Sequence, residues 1–173
     1  DAQSRIGILI ADVSGHGTPA AVLMAVTHSI AHSFEHPQKP PAELLAFVNR
    51  RLCEAYTTNH NAFVTAFYAI YDPASHELTY SSAGHNPPRL RGVGKTFAPL
   101  DDAQGMPLGV MMDARYISAK RTLTPGDTLV LYTDGITEAR DAAGEFLNVE
   151  GPDAAINAAN PHESQDMLRS ALD

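Results

Sequence analysis

Apolar and polar positions change period along the chain, from helical spacing in the first third to alternating, β-rich texture in the middle. Arg5 to Ala11 reads Arg-Ile-Gly-Ile-Leu-Ile-Ala, a short run rich in Ile that predicts a strand buried on both faces. It leads straight into Asp12-Val13-Ser14-Gly15-His16-Gly17. Beyond this loop Thr18 is placed as a helix N-cap, with Pro19 at the first helical position, where its missing N–H costs nothing. The helix is expected to reach Phe34. Its apolar residues from Ala20 to Val26 lie all round the axis, so its first turns are expected to be deeply buried. Pro37, Pro40 and Pro41 stop it and start a second helix, in which Leu44, Leu45, Val48, Leu52, Ala55 and Tyr56 recur at three- and four-residue steps. Glu43, Asn49, Arg50 and Glu54 fall on the wet side of that pattern.

From Ala62 to Tyr71 the aromatic and β-branched residues Phe63, Val64, Thr65, Phe67, Tyr68, Ile70 and Tyr71 predict a strand. Asp72-Pro73 and Ser75-His76 make a turn, and Glu77 to Ser82 returns as its hairpin partner. Arg89 to Arg91 and Thr96 to Ala98 flank Gly92-Val93-Gly94-Lys95 in the same manner, followed by a loop from Leu100 to Gly109. Tyr116 to Leu123 and Thr128 to Tyr132 read as two further strands around Pro125-Gly126-Asp127. Ile136 to Arg140 starts a short helix, Gly144 breaks it, and helices are expected at Pro152 to Ala159 and Pro161 to Leu172. Helices and hairpins segregate along the chain, which argues an α+β fold rather than alternating βαβ units. No repeat and no linker-like composition shift is present, so the 173 residues read as a single domain.

Composition narrows the function. Hydrophobic residues make up 44% and charged residues 18%, as in ordinary globular proteins. With 12 basic and 20 acidic residues the formal charge is -8, a field that repels a phosphate backbone and disfavours nucleic acid as a partner. The single cysteine, Cys53, excludes an intrachain disulfide framework and a zinc site built from cysteines; it reads as a small buried thiol. The longest mainly apolar stretch, Pro19 to Val26, is far too short for a bilayer crossing, so no membrane span and a cytoplasmic location are expected.

Asp12 ends one apolar strand and Asp134 follows another, Leu129-Val130-Leu131-Tyr132-Thr133, each ahead of a glycine-containing turn. Carboxylates projecting from strand ends, without a Cys or His-x-x-x-His pair, suit a hard cation such as Mg²⁺ or Mn²⁺. Asp-Gly and Asp-x-Ser-Gly are equally ordinary turn sequences, because Asp bonds its own nearby backbone. Ser14-Gly15-His16-Gly17-Thr18 opens a helix whose free N–H groups can receive a phosphate. It lacks the lysine of a P-loop and the Gly-x-Gly-x-x-Gly spacing, so neither nucleotide fingerprint applies. His16, close to Asp12 in sequence, is a candidate proton donor, against the commoner reading of an exposed or structural histidine. In Ala83-Gly84-His85-Asn86-Pro87-Pro88, His85 and Asn86 are candidates to line a site, against the favoured reading of a tight, rigid turn demanded by the glycine and two prolines. Ser14 sits in no Gly-x-Ser-x-Gly elbow, which argues against acyl transfer.

The order and wording of four segments carry more than any one of them. They are Ala11-Asp12-Val13-Ser14-Gly15-His16-Gly17 with Pro19-Ala20-Ala21 and Leu23-Met24-Ala25, then Ala83 to Pro88, then Met106-Pro107-Leu108-Gly109-Val110, and finally Leu131-Tyr132-Thr133-Asp134-Gly135-Ile136-Thr137-Glu138-Ala139. In these the chain resembles the bacterial SpoIIE/RsbU-type branch of the metal-dependent PPM (PP2C-like) serine/threonine phosphatases. The resemblance implies an α-β-β-α sandwich of two antiparallel sheets flanked by helices, with two Mn²⁺ or Mg²⁺ ions at one end. It implies that Asp12 bridges the metals, that Val13 offers its carbonyl oxygen and that Asp134 is a further ligand, with Gly15 and His16 adjacent to substrate. An activated water then attacks phosphorus, so no protein nucleophile is needed. His16 does not correspond to the general-acid histidine of animal relatives, because the loop spacing differs.

The resemblance further implies a phosphorylated regulatory protein as substrate, typically an anti-sigma-factor antagonist, acting in bacterial stress signalling downstream of a sensory domain. The family pattern also includes an upstream Gly-Gly-Asp strand and a final Asp-Asp-x-Thr strand, which these 173 residues do not contain. Weak or no metal binding is therefore expected of the chain as given, and strand edges left open are able to pair two chains as a homodimer. A phosphatase fold without catalysis, acting by partner binding, is the alternative reading.

Overall fold

A computed structural model describes residues 5–35, 39–56, 62–94 and 96–137. The elements are β1 (Ile6–Val13), α1 (Thr18–His32), α2 (Pro41–Ala55), β2 (Val64–Asp72), β3 (Glu77–Ala83), β4 (Arg89–Arg91), β5 (Ala98–Pro99), β6 (Ala119–Thr122), β7 (Thr128–Val130) and α3 (Asp134–Thr137). The chain divides into two compact units, Asp1–Pro87 with Asp101–Leu123 and Pro88–Leu100 with Thr124–Asp173. The helices expected at Pro152 to Ala159 and Pro161 to Leu172 lie outside the described residues.

The first unit is built on a four-stranded antiparallel sheet in the order β1-β2-β3-β6. The β2–β3 hairpin turns where expected: the Ala74 N–H donates to Asp72 Oδ1 at 2.9 Å, the local side-chain bond that makes Asp a turn residue. One sheet face packs against α1 and α2 in a core of Leu23, Leu44, Leu45, Val48, Leu52, Val64, Ala66, Ala83 and Leu108. On the other face Phe67 and Tyr80 stack with ring centroids 5.6 Å apart. The Tyr80 hydroxyl donates to Asp102 Oδ2 at 2.9 Å, and Asp102 also receives the Arg121 guanidinium.

The second unit holds a three-stranded antiparallel sheet in the order β5-β4-β7. Arg91 lays its guanidinium over the Phe97 ring at 4.5 Å. The turn before β7 closes on itself, with Asp127 accepting from both the Thr124 N–H (2.8 Å) and the Thr124 hydroxyl (2.9 Å).

Several expectations are corrected. β1 lies at the edge of its sheet among the described residues and is half-exposed, with Ile6 at 52% and Leu9 at 40%, rather than buried on both faces. α1 buries only Leu23 and Thr27 along its length and leaves Val22 57% exposed, because it meets β1 and α2 along a single stripe. Gly17, not Thr18, is the N-cap of α1, and no side chain caps that end. On α2 the polar assignment of Asn49 fails: it is fully buried, whereas Ala55 and Tyr56 are exposed. The strands expected around Pro125-Gly126-Asp127 are shorter than Tyr116–Leu123 and Thr128–Tyr132, and they do not pair with each other. β6 adds to β3 and β7 to β4. The expectation of a buried Cys53 agrees with the structure.

Two predictions follow from this packing. Gly84 has φ +70°, and a Cβ there would lie 2.6 Å from Pro107 Cγ. Gly84→Ala is expected to cost about 1–3 kcal/mol in urea unfolding, the usual scale of strain for a residue with a side chain in the left-handed region. Burial first, and then the bond to Asp102, push the Tyr80 hydroxyl up to about 12. The folded state thus prefers the neutral phenol. That contribution is complete below the unfolded value of about 10 and is lost as pH rises toward 12. Unfolding free energy should fall across this alkaline window and fall less steeply in Tyr80→Phe, while Tyr68 and Tyr116, also raised by burial, keep part of the slope.

Candidate functional site

Three of the four motif segments meet at one end of β2. β3 pairs with β2 only from Phe67 to Asp72, so the buried backbone at Val64 and Ala66 needs other partners on that side. Leu108 supplies both bonds to Val64: its N–H donates to the Val64 oxygen at 2.8 Å and its oxygen accepts from the Val64 N–H at 3.0 Å. Gly84 forms a parallel bridge to Ala66. On the opposite edge of β2, Val13 faces Val64 and Asp12 faces Thr65 in antiparallel register.

Alternation along β1 then orients Asp12. Ala11 and Val13 pack against the helical core, so the half-buried Asp12 side chain belongs to the other sheet face, together with Thr65. The Thr65 hydroxyl donates to the main-chain oxygen of Asp12 at 3.4 Å and lies 3.0 Å from Nδ1 of the buried His85. Both main-chain groups of Val64 are committed to Leu108, so Val13 and Val64 form a pair without mutual hydrogen bonds. The Val13 N–H and carbonyl consequently point away from β2.

The pairing continues one residue further, where the Ser14 N–H donates to the Phe63 oxygen at 2.9 Å and the Phe63 N–H donates to Ser14 Oγ at 2.9 Å. The Ser14 hydroxyl therefore serves to close the strand end, consistent with the absence of a nucleophile elbow. Gly15 and Gly17 take positive φ values of 94° and 78° and turn the chain into α1. The exposed Gly15 and His16 line a cavity of about 680 Å³ with Val13, Thr18, Val22 and Tyr56.

Asp134 belongs to the second unit, where it is exposed and opens the single turn of α3. The Ile136 N–H donates to the Thr133 oxygen at 3.3 Å, which starts that turn, and the preceding Tyr132 is buried. β7 ends at Val130, so Asp134 follows a short irregular segment rather than the strand itself.

Within the first unit the Asp12 carboxylate and the Val13 carbonyl are both oxygen donors, a type that suits a hard divalent cation better than zinc; Asp134, in the second unit, is a carboxylate of the same type. Among the described residues no group of three or more His, Cys, Asp or Glu side chains is placed to hold a metal ion. Sequence reasoning misses two supporting residues, Thr65 and Asn49. His85 is a site candidate in the sequence but ranks below the turn reading there, although a histidine inside a Gly-Pro-rich turn beside a strand is itself a signal. Asn49 falls four residues from both Leu45 and Cys53, squarely on the buried stripe of α2.

Comparison with known proteins identifies the family and the fold. The family model described as Stage II sporulation protein E (SpoIIE) matches residues 2–173. The phosphoserine phosphatase RsbU of Bacillus subtilis is 34% identical over 172 residues, which is 99% of this chain and 50% of that protein. The phosphoserine phosphatase RsbP of the same organism is 29% identical over 157 residues, covering 89% of this chain and 39% of its own length. The chain thus spans half or less of these two relatives. Among solved structures, the RsbU and RsbW domains of a Mycobacterium tuberculosis protein superpose with a TM-score of 0.77 at 25% identity, over 97% of this chain and 46% of that one. The PP2C phosphatase domain of SpoIIE from Bacillus subtilis gives 0.75 at 15% identity, over 97% and 49%. The fold is PP2C-like, with two antiparallel sheets and flanking helices. On its sequence and its fold together, the chain belongs to the SpoIIE family, the RsbU-type branch of PPM phosphatase domains.

Proposed function

We propose that this chain acts as one phosphatase domain that removes phosphate from phosphoserine or phosphothreonine on a regulatory protein. The observation that carries the reading is the Asp12 carboxylate beside an outward Val13 carbonyl, at a strand end held from three sides. The relatives named phosphoserine phosphatase support the reaction class. Asp12, Val13 and Asp134 would hold Mn²⁺ or Mg²⁺. The ions, when bound, acidify a water and offset the charge of the transferring phosphoryl group.

The chain's own residues do the positioning. Thr65 and His85 fix the main chain at Asp12, so the carboxylate is presented without a search over backbone conformations. Gly15 and His16 border the approach from the α1 side, where a phosphoryl group and its protein carrier would pass. The net charge of -8 favours a substrate recognised through its own fold and local contacts rather than through a basic surface. An anti-sigma-factor antagonist in a stress-signalling pathway, with a sensory domain in the same parent protein, fits this chemistry. Among the described residues no helix is long and apolar enough to cross a membrane.

The test is phosphate release from a phosphoseryl protein in Mn²⁺, using a protein that also carries the Gly-Gly-Asp and Asp-Asp-x-Thr strands of the family pattern. Asp12→Ala and Asp134→Ala are each expected to abolish turnover while shifting the unfolding midpoint little, because both side chains are at least partly exposed. Turnover unchanged in either variant removes that aspartate from the mechanism.

A further inference from the structure

We infer that Asn49 is a positioning residue for the strand end that carries Asp12 and Val13, acting from α2 through the Leu108–Met112 loop; the inference rests on the phosphatase reading of that strand end. Asn49 is fully buried, one helical turn from Leu45 on one side and from Cys53 on the other. Its amide is used on every side. Nδ2 donates to the Met111 oxygen at 2.9 Å and to the Met112 oxygen at 3.2 Å, and Oδ1 accepts from the Gly109 N–H at 2.8 Å. The Cys53 thiol approaches Oδ1 at 3.8 Å.

These bonds reach the site in few steps. Gly109 follows Leu108, and Leu108 makes the paired bonds of 2.8 and 3.0 Å that satisfy Val64. Val64 faces Val13, and the next pair, Phe63 and Ser14, is closed by two bonds of 2.9 Å. From the amide to Val13, each step is a covalent neighbour, a normal-length hydrogen bond or a register pair. An apolar side chain would fill the same volume in this core, but it would not choose among loop conformations. A buried amide does, because each unmet polar atom carries a desolvation penalty. The loop has reason to need such a choice: Val110, Met111 and Met112 are about half exposed, so their side chains do little to pin it.

Two isosteric variants separate positioning from packing. Asn49→Asp replaces the donating nitrogen by an oxygen that faces two carbonyls, and Asn49→Leu keeps the volume without polar atoms. Cys53→Ala, on the same buried face, is the packing control. Amide hydrogen exchange on the metal-free chain is the first readout. Both Asn49 variants are expected to lose at least about tenfold protection at the Val64, Leu108 and Ser14 amides relative to the rest of the sheet. Cys53→Ala should lower global stability without that local loss. The second readout, in the version carrying both flanking family strands, is the Mn²⁺ concentration for half-maximal phosphate release, expected to rise about tenfold in Asn49→Asp with little change in KM for the phosphoprotein. Wild-type protection at those amides in whichever Asn49 variant folds, or an equal local loss in Cys53→Ala, overturns the inference. A wild-type version carrying both flanking family strands that releases no phosphate contradicts the phosphatase reading instead, and the exchange result still decides whether Asn49 holds the strand end.

Discussion

Buried backbone must be paired, and at the start of β2 the neighbouring strand β3 is not there to do it. The chain meets this requirement with residues that no regular hairpin would supply: Leu108 on Val64 and Gly84 on Ala66. Both partners come from segments rich in glycine and proline, and the reason is steric. Gly84 needs a positive φ and lies so close to Pro107 that a side chain would collide with it. Gly109 also has a positive φ while its N–H reaches Asn49. Three stretches remote in sequence are thereby tied to the strand end that presents Asp12.

The same constraint accounts for what could be read beforehand. Strands and helices were legible where pattern and local chemistry agree, as in the β2–β3 hairpin with its Asp72 turn and in the leucine stripe of α2. β1 misled because an Ile-rich run looks the same whether a strand is central or at an edge, and only pairing distinguishes the two. α1 misled because small apolar residues all round a helix imply burial only if partners surround it, and here they meet it along one stripe. Asn49 shows residue type and position in conflict: an amide suits the wet face, but its four-residue spacing from Leu45 and Cys53 puts it inside. The partnership of Thr65 with His85 joins two strands' worth of separate sequence, and no local pattern encodes it.

The candidate carboxylate is easier to pick out than the supports around it. Asp12 at a strand end fits both a hard-cation ligand and an ordinary turn aspartate, and the outward Val13 carbonyl beside it emerges only from the strand register. What such a seat needs besides charge is a fixed backbone, and the bonds from Thr65 and Leu108 and the buried amide of Asn49 provide it. Under the proposed function this geometry serves phosphoryl transfer, a reaction in which positioning and electrostatics supply most of the catalysis.

The central claim is that the Asp12 strand end serves metal-dependent hydrolysis of a phosphoseryl protein. The most direct measurement is phosphate release from such a protein, with Mn²⁺ and with a chelator, by this chain and by a version carrying the two flanking family strands. The account predicts Mn²⁺-dependent release by the longer version, abolished by chelator, with little or none from the shorter chain. Release that is indifferent to the chelator, or none from the longer version with several phosphoseryl proteins, would contradict it.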